Sequence, residues 1–150
     1  MNQKKTSLIE YAAFFGSIQI FQYLLMNNVN ITKSVWIYAI HSKNAELIHI
    51  LEFNKNHLNE NDAEFSDFLI ESIKCHHNDI AEYIKDNLCN QNEINYELIM
   101  SIALKVHNYN YFQNKIIYDN GFVLLCIYNY NKLVKLLLES KEKEIKEKII

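Results

Sequence analysis

Apolar residues recur along the chain at helical spacing, in short segments that come in pairs. In the first segment Ile9 and Ala12 lie three apart, and the segment ends close to Gly16. The second segment places Phe21 and Leu25 four apart, with glutamines on its opposite side. An Asn-rich polar stretch follows, and asparagine suits a connection because it tolerates left-handed backbone. The pattern predicts two short helices joined by a tight turn and followed by a polar connection.

This paired pattern returns later in the chain, which indicates a repeat protein. Further copies occupy residues 34–51, 67–84 and 120–138, and residues 98–119 leave room for one irregular unit. A single pair could not bury its apolar face alone, so neighbouring pairs must stack. We therefore predict one all-α domain, a solenoid of about four to five stacked helix–turn–helix units with irregular connections. The predicted units are 7–33, 34–66, 67–97, 98–119 and 120–150.

Four of these units begin with a residue type that often precedes a helix. The side chains of Ser, Asp and Asn accept hydrogen bonds from the unpaired N–H groups of a first helical turn. We therefore predict helix N-caps at Ser7, Ser34, Asp67 and Asn120.

The predicted first helices share a small residue, and the predicted second helices share a polar side. A small side chain lets paired helices approach closely, and one recurs at Ala12, Ala39, Ser72 and Ala103. Polar residues three apart mark the expected solvent side of the second helices. They are Gln19 and Gln22, Glu46 and His49, Asp79 and Glu82, and Lys132 and Lys135. The apolar residues between them, Ile20 and Phe21 in the first unit, are expected to pack against neighbouring helices.

The residues of the first unit resemble an ankyrin repeat. Residues 7–13, Ser-Leu-Ile-Glu-Tyr-Ala-Ala, echo the family's opening T-P-L-H-x-A-A, and Gly16 matches its turn glycine. Residues 20–25 and 133–138 match the I-V-x-x-L-L helix, and residues 24–32 echo the finger that follows it. The chain is similar to the degenerate, Asn-rich ankyrin-repeat proteins of AT-rich protist genomes. Many of those proteins are known only as containing a domain of unknown function. The resemblance implies an ankyrin-like α-solenoid whose surface between helices and fingers binds other proteins.

The chain also departs from the family's pattern. It has no proline, and the turn glycine survives only at Gly16, with Lys43, His76 and Asn129 at the equivalent places. If those places require left-handed backbone, Lys and His carry a steric cost that Asn carries less. A tetratricopeptide-type or HEAT-type solenoid, or an irregular helical bundle, is the alternative architecture.

Composition narrows the class of protein. Apolar residues make up 49% and charged residues 22%, which is typical of a globular chain rather than a disordered one. The lack of proline, with only two glycines, disfavours an all-β sandwich and its many tight turns. All 15 basic residues are lysine and the formal charge is −3. This weighs against a nucleic-acid partner, because arginine is the best contact for phosphate and guanine.

The cysteines and the lengths of the apolar runs bear on location. Cys75, Cys89 and Cys126 are an odd number without close pairing, which fits free thiols in a reducing compartment. No apolar run reaches the roughly 18–20 residues that span a bilayer, and no apolar signal segment follows the N-terminus. We expect a soluble chain in the cytoplasm, with the nucleus as the alternative, and no membrane partner. The charged segment 139–148 is consistent with an end cap or with a connection to further repeats of a longer chain.

One cluster combines residue types that carry chemistry. Cys75, His76 and His77 are adjacent and Asp79 is close by, and these are zinc ligand types. Adjacent residues at a turn point in different directions, and no second ligand pair has zinc-like spacing, so we predict no metal and no cofactor. A thiol enzyme using Cys75 with an adjacent histidine would also need an oriented third group and an oxyanion site. No motif of that kind is present, and we expect no catalytic activity.

The ten tyrosines and eight phenylalanines leave a further alternative, an RNA-binding helical repeat that stacks bases on aromatic rings. Most of these residues lie at the spacing of a helical core, so packing explains them better. A non-catalytic protein–protein interaction module, a scaffold or adaptor with an unknown protein partner, is the predicted function. By position in the ankyrin repeat, its binding face is the exposed end of each first helix. The predicted binding residues are Phe14, Phe15, His41, Ser42, Lys74, Cys75, Ile127 and Tyr128.

Overall fold

The computed structural model of the chain describes residues 6–54, 65–92, 94–112 and 121–149, with residues 112 and 141–149 described by their backbone alone. Within these ranges every regular element is an α-helix, which confirms the predicted all-α class. Ten helices form five consecutive pairs, and a three-residue turn joins the two helices of each pair. The helices are α1 Leu8–Phe14, α2 Ile18–Met26, α3 Lys33–His41, α4 Ala45–Phe53, α5 Phe65–Lys74, α6 Asn78–Asn87, α7 Tyr96–Lys105, α8 Tyr109–Phe112, α9 Gly121–Ile127 and α10 Asn131–Ile149.

The three-residue turns share a left-handed middle residue, and four of the five also share one pair of backbone hydrogen bonds. In the turn at Lys43 the N–H of Asn44 instead donates to Oγ of Ser42 at 3.3 Å. In the first turn the N–H of Gly16 donates to the carbonyl of Ala13 at 3.1 Å, and that of Ser17 to Ala12 at 2.9 Å. This pair of bonds is a Schellman cap, which needs a left-handed residue in the middle. The middle residue has a φ between +56° and +66° in all five turns, at Gly16, Lys43, His76, His107 and Asn129. The positions at which Lys43, His76 and Asn129 replace the turn glycine therefore do have left-handed backbone.

The N-cap predicted for the first helix is confirmed. Ser7 precedes α1 with extended backbone. Its N–H and its hydroxyl both donate to the buried carboxylate of Glu10, at 2.6 and 2.8 Å. Because the carboxylate reaches back over the first turn, it fixes the start of α1. The N-cap predicted at Asn120 lies outside the described residues.

The N-caps predicted at Ser34 and Asp67 are wrong, because both residues lie inside helices. The cap of α3 is Thr32, and Ser34 sits in the first turn, where its hydroxyl donates to Glu10 of α1. Asp67 sits in the first turn of α5 and forms an ion pair with Lys33 of α3. These two residues therefore connect neighbouring first helices instead of capping their own.

The chain divides into two compact units, Met1–Ile94 and Asn95–Ile150. In the first unit α3 packs against both α1 and α5. Trp36 of α3 and Phe68 of α5 are fully buried, and their rings stack with centroids 5.1 Å apart. The predicted small residues Ala39 and Ser72 are completely buried at the same contacts, and Ala12 nearly so. The small residues of the first helices are therefore core positions, whereas their expected role in bringing the paired helices close together stays a prediction.

In the second unit α9 packs against both α7 and α10, and α8 packs against α7. Its buried residues include Ala103 and Leu104 of α7 and Leu125 of α9. The hydroxyls of Ser101 and Tyr128 lie 2.6 Å apart and join α7 to the turn that follows α9. The predicted small residue Ala103 is completely buried here too.

The second helices expose the polar residues assigned to their outer side, none of which is buried. Leu47 and Phe21 pack inside as expected. Ile20 does not, because its side chain is 51% exposed. No helix in the described ranges has the length and apolar character needed to cross a bilayer.

Candidate functional site

Six of the eight predicted binding residues lie at the ends of α1, α3 and α5 in the first unit. Contacts between these ends create a continuous surface, which we call the first-helix face. It consists of Phe14, Phe15, Tyr38, His41, Glu71, Lys74 and Cys75. The sixth of these residues, Ser42, is not part of the face. Its hydroxyl donates to the carbonyl of Ala39 at 2.7 Å and so stabilises the turn after α3.

The aromatic end of the first-helix face is exposed. Phe14 is 44% and Phe15 71% accessible, and their rings meet edge to face at 5.3 Å. The Phe14 ring also lies 6.0 Å from that of Tyr38 and 6.4 Å from that of His41. Exposed apolar side chains that cluster in this way often mark a binding surface.

The polar end of the face joins α3 to α5. Nε2 of His41 lies 3.1 Å from Oε1 of Glu71 and 3.8 Å from Sγ of Cys75. Glu71 and Cys75 are four residues apart, so both project from one side of α5 toward α3. The Nζ atom of Lys74 binds the other carboxylate oxygen of Glu71 at 3.1 Å. A nitrogen, an oxygen and a sulfur atom that could bind a metal ion thus lie within 4.8 Å of one another.

The Cys75 thiol is held in its protonated form. Burial raises the pKa of Cys75, and the negative charge of Glu71 raises it further against the opposing effect of Lys74. The sulfur is almost equally far from the two ring nitrogens of His41, at 3.8 and 3.9 Å, so it lies in line with neither lone pair. An activated nucleophile needs a lowered pKa and an aligned base. This geometry gives Cys75 neither of them.

The imidazole next to the Cys75 thiol belongs to His41, and not to His76 or His77, which follow Cys75 in the sequence. His77, which the sequence placed in the same cluster as Cys75, instead has its Nδ1 2.8 Å from the carbonyl oxygen of Ile40. This hydrogen bond joins the α5–α6 turn to α3. His76 is the left-handed residue of that turn. Asp79 lies exposed in the first turn of α6, at an open cleft between α4 and α6.

The same cleft borders a second polar group, which the sequence did not suggest. The Tyr83 hydroxyl donates to Glu52 at 2.5 Å and lies 3.1 Å from Nδ1 of His49. The hydrogen bond to Glu52 raises the pKa of Tyr83, with smaller contributions from burial and from the charge of Glu52. The phenol is therefore a hydrogen-bond donor that joins α4 to α6, and not a base.

In the second unit the predicted residues have different environments. Ile127 is exposed at the end of α9, whereas Tyr128 is tied to Ser101. The neighbouring Tyr130 donates to the carbonyl of Leu104 at 2.7 Å. Burial, then hydrogen bonding to Tyr109, raises the pKa of Tyr130 to about 12. Tyr128 and Tyr130 therefore connect elements of the second unit.

Sequence reasoning missed two residues of the first-helix face, Tyr38 and Glu71. A signal for both was present in the spacing, because Tyr38 precedes His41 by three residues and Glu71 precedes Cys75 by four. No protein-family model, curated protein or solved structure matches the chain.

Proposed function

We propose that the chain is a non-catalytic protein–protein interaction module that binds a segment of its partner on the first-helix face. The exposed pair Phe14 and Phe15 is the observation that supports this most directly. Aromatic side chains supply large contact areas at interfaces at low entropic cost, and they are frequent among binding hot spots. Phe14 belongs to α1, which packs against α3, and its ring contacts the ring of Tyr38 on α3. These contacts hold the Phe14 ring in position.

The helix pairs are, in this proposal, ankyrin-like repeats. The recurring left-handed turn supports this assignment, as does the packing of α3 against α1 and α5. In such an arrangement equivalent helix ends stand side by side and form one extended surface. In this proposal the partner binds at the exposed ends of α1, α3 and α5, which form the first-helix face.

The two ends of the first-helix face select different chemistry. Phe14 and Phe15 offer an apolar contact, which suits an aliphatic or aromatic side chain of the partner. The other end, with His41 and Glu71, offers a hydrogen-bond donor and acceptors that fix the orientation of the bound segment. The thiols of Cys75, Cys89 and Cys126 are free, which suits a module that works in the cytoplasm.

A role without catalysis agrees with the state of the one candidate nucleophile. The pKa of Cys75 is raised, which keeps the thiol protonated at neutral pH. An RNA-binding repeat would instead combine exposed aromatic rings with several cationic side chains, and the seven residues of this face include a single lysine, Lys74. A protein partner therefore accounts best for the residues of the face.

The proposal is tested by comparing two double variants in a quantitative pull-down with mass spectrometry. Phe14→Ala/Phe15→Ala removes the exposed pair of the first-helix face. Tyr23→Ala/Phe53→Ala removes two exposed rings, 66% and 89% accessible, from the second helices α2 and α4. We expect the first variant to lose proteins that the wild-type chain and the second variant both retain.

Two outcomes would contradict the proposed face. Equal recovery of partners by both variants would show that Phe14 and Phe15 make no binding contact. Recovery of RNA, with binding that weakens steeply as salt rises, would favour the nucleic-acid alternative.

A further inference from the structure

The polar end of the first-helix face combines three metal-ligand types from two helices. His41 offers a nitrogen, Glu71 an oxygen and Cys75 a sulfur, all within 4.8 Å of one another. Zinc takes ligands of these three kinds, at about 2.0–2.3 Å. We propose that His41, Glu71 and Cys75 form a binding site for a zinc ion. The site goes beyond the proposed partner binding and does not depend on it.

Two of the three distances between the ligand atoms are close to those that a bound zinc ion imposes, and the third is within 4.8 Å. Two ligands of a tetrahedral zinc lie about 3.3–3.7 Å apart when both bonds have their usual length. Nε2 of His41 lies 3.1 Å from Oε1 of Glu71 and 3.8 Å from Sγ of Cys75. Side-chain rotations, above all of the His41 ring, bring the three atoms around one ion in this proposal. Nε2 is the ligating ring nitrogen, because it is the one that Glu71 approaches.

The packing of the fold holds these ligands in place before any ion binds. Glu71 and Cys75 lie one helical turn apart, and the Cys75 N–H donates to the Glu71 carbonyl at 3.0 Å. α5 packs against α3, which carries His41. The turn after Cys75 is also fixed to α3, through the hydrogen bond from His77 to the carbonyl of Ile40. Binding therefore requires little ordering of the backbone, which favours affinity.

Lys74 lies beside the site, and its position leaves room for the ion. Its ammonium binds Oε2 of Glu71, whereas Oε1 faces His41. The Lys74 side chain is 48% exposed, so its pairing with Glu71 contributes little and the lysine can turn toward solvent. The zinc ion then replaces Lys74 as the positive charge that pairs with the Glu71 carboxylate.

The ligand set favours zinc over the abundant hard cations. A thiolate with an imidazole suits zinc, whereas Mg²⁺ and Ca²⁺ prefer oxygen ligands alone. The side chains of His41 and Glu71 are partly exposed, so a fourth position is open to water or to a side chain of a bound protein. The site is thus of the three-ligand type with one exchangeable position.

Cobalt(II) titration of the reduced, metal-free full chain tests the proposal, because a thiolate ligand gives cobalt a charge-transfer band in the near ultraviolet. We expect this band to saturate at one cobalt per chain and to disappear when zinc is added. Cys75→Ser should abolish the band, and His41→Ala or Glu71→Gln should weaken cobalt binding at least about tenfold. The matched control Cys89→Ser/Cys126→Ser should bind cobalt as the wild-type chain does.

A second measurement works on the unaltered chain and does not depend on the folding of any variant. Zinc should slow alkylation of Cys75 at least about tenfold, as expected when a metal takes the thiolate, and leave alkylation of the exposed Cys126 unchanged. The proposal is overturned by a cobalt band that survives in Cys75→Ser or is lost in Cys89→Ser/Cys126→Ser. Equal alkylation of Cys75 with and without zinc would overturn it as well.

Discussion

At the scale of single residues, the turns hold side chains in a conformation that favours glycine. A residue with a Cβ atom pays about 1–2 kcal/mol in left-handed backbone, and Gly16 avoids this cost. Lys43 and His107 carry it in full, whereas Asn129 carries less, because asparagine visits this region more readily. The Schellman bonds and the packing of the adjoining helices must therefore offset the strain.

Replacement of Lys43 by glycine should stabilise the chain. Lys43 is exposed with a φ of +56°, so Lys43→Gly relieves the strain, and we expect the free energy of unfolding to rise by about 1 kcal/mol. Gln22→Gly in the middle of α2 is the control, and it should lower stability by about 1 kcal/mol. Chemical denaturation measures both. A loss of stability in both variants would contradict the account of the turn.

Glu10 is a second residue on which stability depends. Its buried carboxylate accepts hydrogen bonds from Ser7 and from Ser34 of the neighbouring helix. Glu10→Ala removes these three hydrogen bonds to a charged acceptor, and we expect it to cost about 1–3 kcal/mol in a denaturant titration. Glu46→Ala, at an exposed place in the first turn of α4, should change stability by about 0.5 kcal/mol or less. Similar effects of the two substitutions would show that Glu10 does not link α1 to α3.

The pKa of Cys75 gives a prediction that depends on pH. Because the pKa is raised, less of the thiol is ionised at a given pH, and alkylation should begin at higher pH than for a cysteine in an unstructured peptide. Glu71→Gln removes a negative charge that raises this pKa, so it should shift the alkylation profile of Cys75 to lower pH. Labelling with iodoacetamide, followed by mass spectrometry, measures Cys75 in the wild-type chain and in the variant. An unchanged profile in Glu71→Gln would contradict the assigned cause.

At the scale of the elements, periodicity predicted where helices occur better than where they begin. Gly16 marked the turn of the first helix pair, and the repeated pattern then placed the equivalent turns at Lys43, His76 and Asn129. The starts of α3 and α5 were misplaced, because Ser34 and Asp67 have side chains suited to capping but use them on neighbouring helices. Local sequence cannot distinguish a cap from a contact between helices, since both use the same polar side chains.

The small residue of the first helices offers a test at this scale. Ala39 is completely buried in α3, which packs against α1, α4 and α5, so a larger side chain must displace its neighbours. We expect Ala39→Leu to lower the free energy of unfolding by about 1–3 kcal/mol. Ala45→Leu places the same side chain at an exposed site in α4, and it should change stability by less than about 0.5 kcal/mol. A tolerated leucine at position 39 would contradict close packing of the first helices.

At the scale of the whole molecule, two features of the candidate site had different origins. The exposed Phe14 and Phe15 followed from their position in the repeat, so the aromatic end could be located from the sequence. The contact between His41 and Cys75 could not, because it joins residues 34 apart through the packing of α3 on α5. Adjacency in sequence pointed to His76 and His77 instead. Their orientation is set by the turn between α5 and α6.

The most direct test of the account is photo-crosslinking at single positions of the first-helix face in cells. A benzophenone amino acid replaces Phe15 in one variant and Phe53, an equally prominent ring on α4, in the other. We expect a discrete crosslinked protein partner from position 15 and none of the same mass from position 53. The same partner crosslinked from both positions, or from position 53 alone, would contradict a binding surface at the ends of the first helices.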